Sequence, residues 1–185
     1  KKNNRIKVFK NKKKGLGSAI ETGIKKSKNI YICIFMCDLS DDVKDLIRYN
    51  EILNNKKIDA VLGSRFLKSS IVNDYPIQKL ILNRIFNFIV SILFWNKYND
   101  YTNAFKIYKK QVLKEIMPLV SESFNIFLEI PLKTISRNYK YEIIPINWYG
   151  RKKGEAKFKI KELQSKYLFT LIYCFIEKNL LNLKK

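Results

Sequence analysis

The chain has 185 residues, enough for one domain with one hydrophobic core, and its 46% hydrophobic content is too high for a disordered protein. It contains no histidine, which excludes histidine catalysis within this chain and leaves a zinc site without its usual nitrogen ligand. The formal net charge of +21 indicates an anionic partner, or else a lysine-rich composition without a binding role.

The cysteines and the apolar runs bear on the cellular location of the protein. None of the three cysteines forms a Cys-x-x-Cys pair, which favours buried thiols in a reducing compartment. No run reaches the roughly 20 apolar residues of a membrane span. No apolar stretch follows the lysine-rich start, so we expect no signal peptide.

The first third of the chain alternates short apolar runs with helical patterns. The run Ile30–Met36 is unbroken, apolar and contains β-branched residues, as in a buried strand. Ser40 is the predicted N-cap of the second helix. This alternation is typical of a parallel sheet with helices on its faces. The predicted strands are Arg5–Phe9, Ile30–Met36 and Asp59–Gly63, and the predicted helices are Gly15–Ser27 and Asp41–Asn54.

A longer helix is predicted over Gln78–Trp95. Its polar residues share one stripe, and the rest of its surface must face a core or a membrane; we expect most of Leu80–Trp95 to pack on the core. The tail from Ile160 is helical in pattern, and for this helix core and membrane interface are equally favoured. Strands are also predicted at Tyr101–Tyr108 and Tyr141–Trp148, and a helix at Phe124–Asn138.

Charged side chains follow two of the predicted strands. Ligands of open parallel sheets bind beyond the carboxyl ends of the strands, which is where Asp38 would lie. A carboxylate there can hold a divalent cation against a diphosphate. Asp41 and Asp42 either help to bind this cation or only stabilise the start of the helix. Arg65 ends the next strand and can grip phosphate, although a lone arginine there is usually a surface residue. We expect Arg65→Ala to weaken phosphate binding more than it alters melting.

Five short segments in a fixed order carry a family resemblance. They are Gly15-Leu-Gly-Ser-Ala, Met36-Cys-Asp-Leu-Ser-Asp-Asp42, Gly63-Ser-Arg-Phe66, Asp100-Tyr-Thr-Asn-Ala-Phe-Lys106 and Arg151-Lys-Lys-Gly-Glu-Ala-Lys157. Each alone is weak, but together they resemble the family 2 glycosyltransferases, in particular the dolichol-phosphate mannose and polyprenyl-phosphate glucose synthases. The resemblance runs from about Arg5 to about Lys159.

The resemblance implies a fold, a reaction and a location. The fold would be α/β and GT-A-like, that is Rossmann-like, with a mostly parallel sheet flanked by helices. The reaction would move a sugar from a nucleotide sugar, of the GDP-mannose or UDP-glucose type, to a polyprenyl or dolichyl phosphate. The protein would be peripheral, on the cytoplasmic face of a membrane. An acceptor phosphate is already ionised, so no strong general base is needed.

Individual site residues are carried over from the family motifs. Asp38 matches the second aspartate of the Asp-x-Asp motif, and Met36 replaces the first. Binding of Mg²⁺ or Mn²⁺ would therefore depend on Asp38, helped by Ser40 or Asp41. Arg65 would meet a phosphate of the donor or of the lipid acceptor, and Arg84 matches a basic residue of the acceptor helix.

Further matches lie in the second half of the chain. Arg151 and Lys157 match a basic loop that closes over the phosphates, with Ala156 at the position of its usual serine. Glu129 matches an acidic position that would orient these basic residues, and the segment from Asp100 would shape the site structurally.

Family members have two further strands before the position of Arg5. We therefore expect the first strands to be missing, with residues 1–159 forming a partial domain and residues 160–185 an amphipathic, membrane-interfacial helix.

Three other functions stay open. A transferase of the same fold could act on a glycan, with Glu129 or Asp41 as the catalytic base. Met36 also allows a degenerate transferase without activity. The third is a basic nucleic-acid-binding module, but single-strand binders interleave exposed aromatic and basic residues. Here most aromatic residues lie inside apolar runs such as Phe86–Trp95, so we predict no nucleic-acid partner.

Overall fold

Four strands form the central sheet of the computed structural model, which describes residues 5–11, 13–150 and 160–182. They are β1 (Tyr31–Ile34), β2 (Ala60–Ser64), β4 (Lys106–Lys109) and β5 (Tyr141–Pro145), while β3 (Val72–Asn73) and β6 (Trp148–Tyr149) form a separate pair. The helices are α1 (Leu16–Lys26), α2 (Val43–Asn55), α3 (Ile77–Leu93), α4 (Lys110–Glu115), α5 (Ile126–Ser136) and α6 (Ile160–Asn182).

The strand order β1-β4-β2-β5 brings several chain segments to one edge of the sheet. β2 and β5 are parallel, and β4 is antiparallel to both β1 and β2, so three of the four strands run in the same direction. This confirms the predicted α/β fold with a mostly parallel sheet; β4 is the exception. In the register, Lys106 lies opposite both Ile34 and Leu62. The carboxyl ends of β1, β2 and β5 therefore meet the amino end of β4.

Close packing on both faces holds this sheet. Helix α5 packs on one face of the sheet, and all of its residues are buried, as expected for a predominantly apolar helix inside a core. On the other face, the ring of Tyr49 packs on Phe105, and its hydroxyl donates to the carbonyl of Phe105 at 2.9 Å. A Cβ at Gly63 would lie 2.0 Å from the Tyr49 hydroxyl, so this close approach requires glycine.

Helix α6 packs on the same core. Leu171 and Cys174 are buried in it, and the Tyr167 hydroxyl donates to the carbonyl of Phe124 at 3.1 Å. The helical pattern predicted from Ile160 is confirmed. The predicted division after residue 159 stays a prediction, since residues 151–159 lie outside those described.

Two strand predictions are wrong. Arg5–Phe9 forms no strand, because its apolar side chains are exposed and the segment is paired with no other strand in the described residues. The run Ile30–Met36 contains only the four residues of β1, which are half-buried, because β1 lies at the edge of the sheet.

Two boundaries also differ from prediction. Asp42, not Ser40, caps α2, and its side chain accepts a hydrogen bond from the Lys44 amide. The segment Tyr101–Tyr108 becomes a strand only at its end, from Lys106, because the residues before it form a loop.

Helix α3 differs most from expectation. The prediction that Leu80–Trp95 mainly packs on the core is wrong, because most of its apolar residues are exposed and its polar residues Asn83 and Asn87 face inward. Across residues 5–11, 13–150 and 160–182, no helix combines the length and apolar character that crossing a membrane requires. The exposed residues are Ile81, Leu82, Ile85, Phe88, Ile89, Ile92, Leu93 and Trp95.

Candidate active site

A tight turn after β1 places three polar residues at the shared sheet edge. Leu39 adopts a left-handed conformation with φ 60°, which reverses the chain. The Ser40 amide donates to the Asp38 carboxylate at 3.2 Å, and the Ser40 carbonyl accepts from the Tyr149 amide at 2.8 Å. Asp41 forms an isolated antiparallel bridge with Trp148. The turn is therefore tied to the chain that leaves β5.

Asp41 is buried with an oxygen atom that the described residues leave without a partner. The residue is 8% exposed, and its Oδ1 accepts no hydrogen bond within residues 5–11, 13–150 and 160–182. Burial raises the pKa of Asp41 to about 7, Arg65 opposes the rise and Asp38 adds to it. The Oγ of Ser40 is likewise buried without a partner in this part of the chain. Buried oxygen atoms beside a second carboxylate suit a hard divalent cation.

Arg65 follows β2 and forms a buried ion pair with Asp100. Its Nε and Nη2 donate to the two carboxylate oxygens at 2.8 and 2.7 Å, and its amide donates to the same carboxylate at 2.9 Å. The charge of Asp100 outweighs burial and raises the pKa of Arg65. These contacts tie the loop before β4 to the end of β2. A bidentate grip on phosphate through the same two nitrogens is therefore blocked.

Three aromatic rings surround the Arg65 guanidinium. Its Cζ lies 5.3 Å from the centre of the Phe66 ring, 5.6 Å from Tyr75 and 6.0 Å from Trp148. The Cζ of the exposed Arg84 lies 5.6 Å from the same Phe66 ring. Arg84 of α3 therefore reaches the site, as the resemblance implies, and it is the more accessible of the two arginines.

Lys106 stabilises the loop before β4 through hydrogen bonds to its carbonyl groups. It is buried, and its Nζ donates to the carbonyls of Tyr101, at 3.1 Å, and Asn103. Burial lowers the pKa of Lys106 to about 7, and the charge of Asp100 opposes this. The site thus combines Asp41, Arg65 and Lys106 in one electrostatic group.

Glu129 lies elsewhere, on α5. It is fully buried, its carboxylate accepts from the amides of Val120 and Ser121, and it forms an ion pair with Lys133 at 3.0 Å. These contacts give Glu129 a structural role and argue against its use as a catalytic base. Arg151 and Lys157 lie outside the described residues, so the expected contact between Glu129 and that loop stays a prediction.

Glu129→Gln is expected to lower the free energy of unfolding by about 1–3 kcal/mol, because an amide group would face the amides of Val120 and Ser121 and leave Lys133 with less compensation. Chemical denaturation measures this loss. The transfer rate per folded molecule should stay unchanged. A large fall in that rate at unchanged stability would show instead that Glu129 takes part in the reaction.

The metal ligands would be few. Among the described residues, no group of three or more histidine, cysteine or acidic side chains is placed to hold a metal ion. Met36 packs partly buried against the core, so its side chain does not replace the missing aspartate. Asp38 and Asp41 would have to hold a cation together with oxygen atoms of the substrate.

Two residues of the site were not predicted from the sequence. Tyr75 and Trp148 pack on each other with ring centres 4.9 Å apart and form one wall beside Arg65. β3 and β6, which bring them together, have only two residues each and show no periodicity. The one available signal was an aromatic residue soon after Pro145 at the end of a predicted strand.

The fold is that of GT-A glycosyltransferases. Glucosyl-3-phosphoglycerate synthase from Mycobacterium tuberculosis, in complex with uridine diphosphate, superimposes with a TM-score of 0.64 at 11% identity, over 88% of this chain and 56% of that one. A complex of the same enzyme with Mn²⁺, uridine diphosphate and phosphoglyceric acid also gives 0.64. The model of glycosyl transferase family 2 matches residues 1–117, and the chain belongs to this family.

Two of the curated relatives have a dolichol or a polyprenol in their names. A dolichol-phosphate mannosyltransferase from Pyrococcus furiosus is 25% identical over 160 residues, which are 84% of this chain and 44% of that protein. A polyprenol monophosphomannose synthase from Mycolicibacterium smegmatis is 23% identical over 116 residues, 56% of this chain and 44% of that protein. The chain thus spans less than half the length of these relatives.

Proposed function

We propose that this glycosyltransferase moves a hexosyl group from a nucleoside diphosphate sugar to a polyprenyl phosphate. The observation that carries the proposal is the meeting of Asp41, Arg65 and Arg84 at one sheet edge. Such a mixed site suits two phosphate-bearing substrates and a cation between them. The names of the two curated relatives support a lipid phosphate as the acceptor.

Asp38 and Asp41 would hold Mg²⁺ or Mn²⁺. The unpartnered Oδ1 of Asp41 and the buried Oγ of Ser40 fit such an ion, which takes its remaining oxygen ligands from diphosphate and water. When bound, the ion neutralises negative charge on the departing diphosphate.

The other site residues bind and position. Arg84 is exposed, so its guanidinium is available to bind the acceptor phosphate. Arg65 fixes the loop that carries Asp100, and the rings of Phe66 and Trp148 lie beside its guanidinium group. These rings exclude water on one side and so strengthen the attraction between the cations and the phosphates.

A polyprenyl phosphate is confined to a bilayer, and nucleotide sugars are made in the cytoplasm. We therefore place the protein as a peripheral protein on the cytoplasmic face of a membrane. Arg151 and Lys157 remain proposed phosphate contacts of the loop that follows Gly150.

Transfer of radiolabel from GDP-mannose and from UDP-glucose tests the proposal. We expect label to enter the organic phase with polyprenyl phosphate as acceptor, and EDTA to abolish this transfer. The same reactions with 3-phosphoglycerate or an oligosaccharide serve as controls. Label that appears only in one of these water-soluble acceptors would contradict a lipid acceptor and assign the site to the other class of transferase.

A further inference from the structure

Helix α3 differs from an ordinary surface helix because it buries asparagine side chains while many of its apolar residues are exposed. Its side chains Asn83 and Asn87 face the interior: Asn87 Oδ1 accepts from the Tyr101 amide at 2.6 Å, and Asn83 Oδ1 accepts from the Thr102 hydroxyl at 2.7 Å. A helix that lies between a core and water normally turns its apolar stripe inward. In α3, Val90 and the adjoining Phe94 do pack on the core, but a second apolar row faces outward, and nothing in the described part of the chain covers it.

The outward stripe continues along the whole helix to a tryptophan. Trp95 follows the end of α3, is 92% exposed and adopts a left-handed conformation with φ 49°. A single exposed apolar residue needs no explanation, but a continuous exposed row of them marks an interaction surface. We name this row the docking face; it consists of Ile81, Ile85, Phe88, Ile92 and Trp95, spaced alternately by four and three residues.

Helix α6 lies beside α3 and extends the apolar surface. The rings of Phe86 and Tyr167 are 5.9 Å apart, and those of Phe94 and Phe175 are 6.1 Å apart. Lys178 Nζ donates to the Phe94 carbonyl at 2.9 Å. The exposed apolar residues of α6 are Leu168, Phe169, Ile172, Phe175, Ile176 and Leu180.

The charges around the docking face are positive. α3 carries the exposed Lys79 and Arg84 and no acidic residue, and Lys97 is exposed just beyond it. Between Ser165 and Leu181 the one acidic residue is Glu177, which pairs with Lys133 and Arg137. With a net charge of +21, two copies of the chain repel each other, whereas an anionic surface attracts it. The face therefore fits anionic lipid better than a second copy.

We propose that the docking face inserts into the interfacial region of an anionic lipid bilayer, with Trp95 as its anchor. Tryptophan and an adjoining cation are the residues that favour the boundary between headgroups and acyl chains. A surface groove with a volume of about 330 Å³ lies beside Trp95 and is lined by Ser91, Ile92, Asn96 and Lys97. The ammonium group of the exposed Lys97 at this groove suits the phosphate of a lipid headgroup.

Docking in this orientation places the active site beside the bilayer. Arg84 belongs to the same helix and reaches Phe66, which also contacts Arg65. A phosphate on a membrane lipid then meets Arg84 without leaving the bilayer. This consequence rests on the proposed function, whereas the binding of the docking face to lipid does not.

Tryptophan fluorescence and vesicle cosedimentation test the proposal without any acceptor lipid. The chain has two tryptophans, Trp95 and Trp148. With vesicles that contain phosphatidylglycerol we expect a blue shift of emission and quenching by brominated lipid, both lost in Trp95→Phe. The double variant Ile85→Ser/Phe88→Ser should lower the partition coefficient about tenfold or more.

Helix α2 supplies a matched control. Val43→Ser/Ile47→Ser removes two apolar side chains that are 59% and 58% exposed, against 52% for Ile85 and 64% for Phe88. This control should bind vesicles as the parent chain does.

Equal loss of vesicle binding in both double variants, or the absence of a blue shift, would overturn the proposal. So would a dimer in light scattering that Ile85→Ser/Phe88→Ser dissociates, since it would assign the face to a second copy. Failure of sugar transfer to polyprenyl phosphate alone, with vesicle binding intact, would contradict the proposed function only.

Discussion

Arg65→Ala is expected to lower the free energy of unfolding by about 3–5 kcal/mol. The substitution leaves the carboxylate of Asp100 fully buried and removes its two hydrogen bonds with the guanidinium, of 2.8 and 2.7 Å, while the bond from the backbone amide at position 65 remains. An uncompensated buried charge is far more costly than a missing surface ion pair. Denaturant unfolding monitored by circular dichroism measures the loss.

Arg84→Ala is the matched control for this prediction. Arg84 is exposed, so its removal should change the free energy of unfolding by no more than about 0.5 kcal/mol, while transfer to the acceptor falls. Equal stability of the two variants would contradict a structural role for Arg65. The contacts with Asp100 thus reverse the expectation, drawn from the sequence, that Arg65→Ala acts mainly on phosphate binding.

Asp38→Asn and Asp41→Asn are each expected to reduce kcat about 100-fold or more, because each removes a charge that would hold the metal ion. The fold should persist. For Asp41 the stability should even rise slightly, since burial already raises its pKa to about 7 and so opposes the charged form. Initial rates at saturating donor, together with thermal melting, measure both effects.

Asp42→Asn tests whether activity depends on the total negative charge of this turn or specifically on Asp38 and Asp41. Asp42 caps α2 through its side chain, and asparagine is an equally good N-cap. We therefore expect nearly unchanged activity and stability. If Asp42→Asn reduced the rate as much as Asp38→Asn, the loss would reflect the general charge of the turn, and the assignment of Asp38 and Asp41 as metal ligands would be wrong.

Much of the fold could be predicted because several elements carry strong local patterns. The short apolar run at β2 and the long apolar segments of α3 and α5 have lengths that distinguish strands from helices. Arg5–Phe9 shows the limit of this reasoning. Its alternation is that of a strand, but a strand also needs a partner, and the described residues supply none.

The orientation of α3 shows a second limit. Periodicity reveals that its polar residues share a stripe, but it does not say which side faces inward. Asn87 turns inward because the loop before β4 offers it the Tyr101 amide, a partner that only the tertiary structure brings close. In the same way, Asp38 and Arg65 could be placed at one sheet edge, whereas the pairing of Arg65 with Asp100 depends on a contact across 35 residues.

The position of β4 between β1 and β2 also has a consequence for folding. β1 and β2 are not hydrogen-bonded to each other, and both pair with residues 106–109 of β4. β1 can therefore be linked to β2 only after β4 has been synthesised, and the slow closure of these long loops delays this part of the sheet. A chain released before this point would expose unpaired strand edges, which makes it a substrate for aggregation or for chaperones.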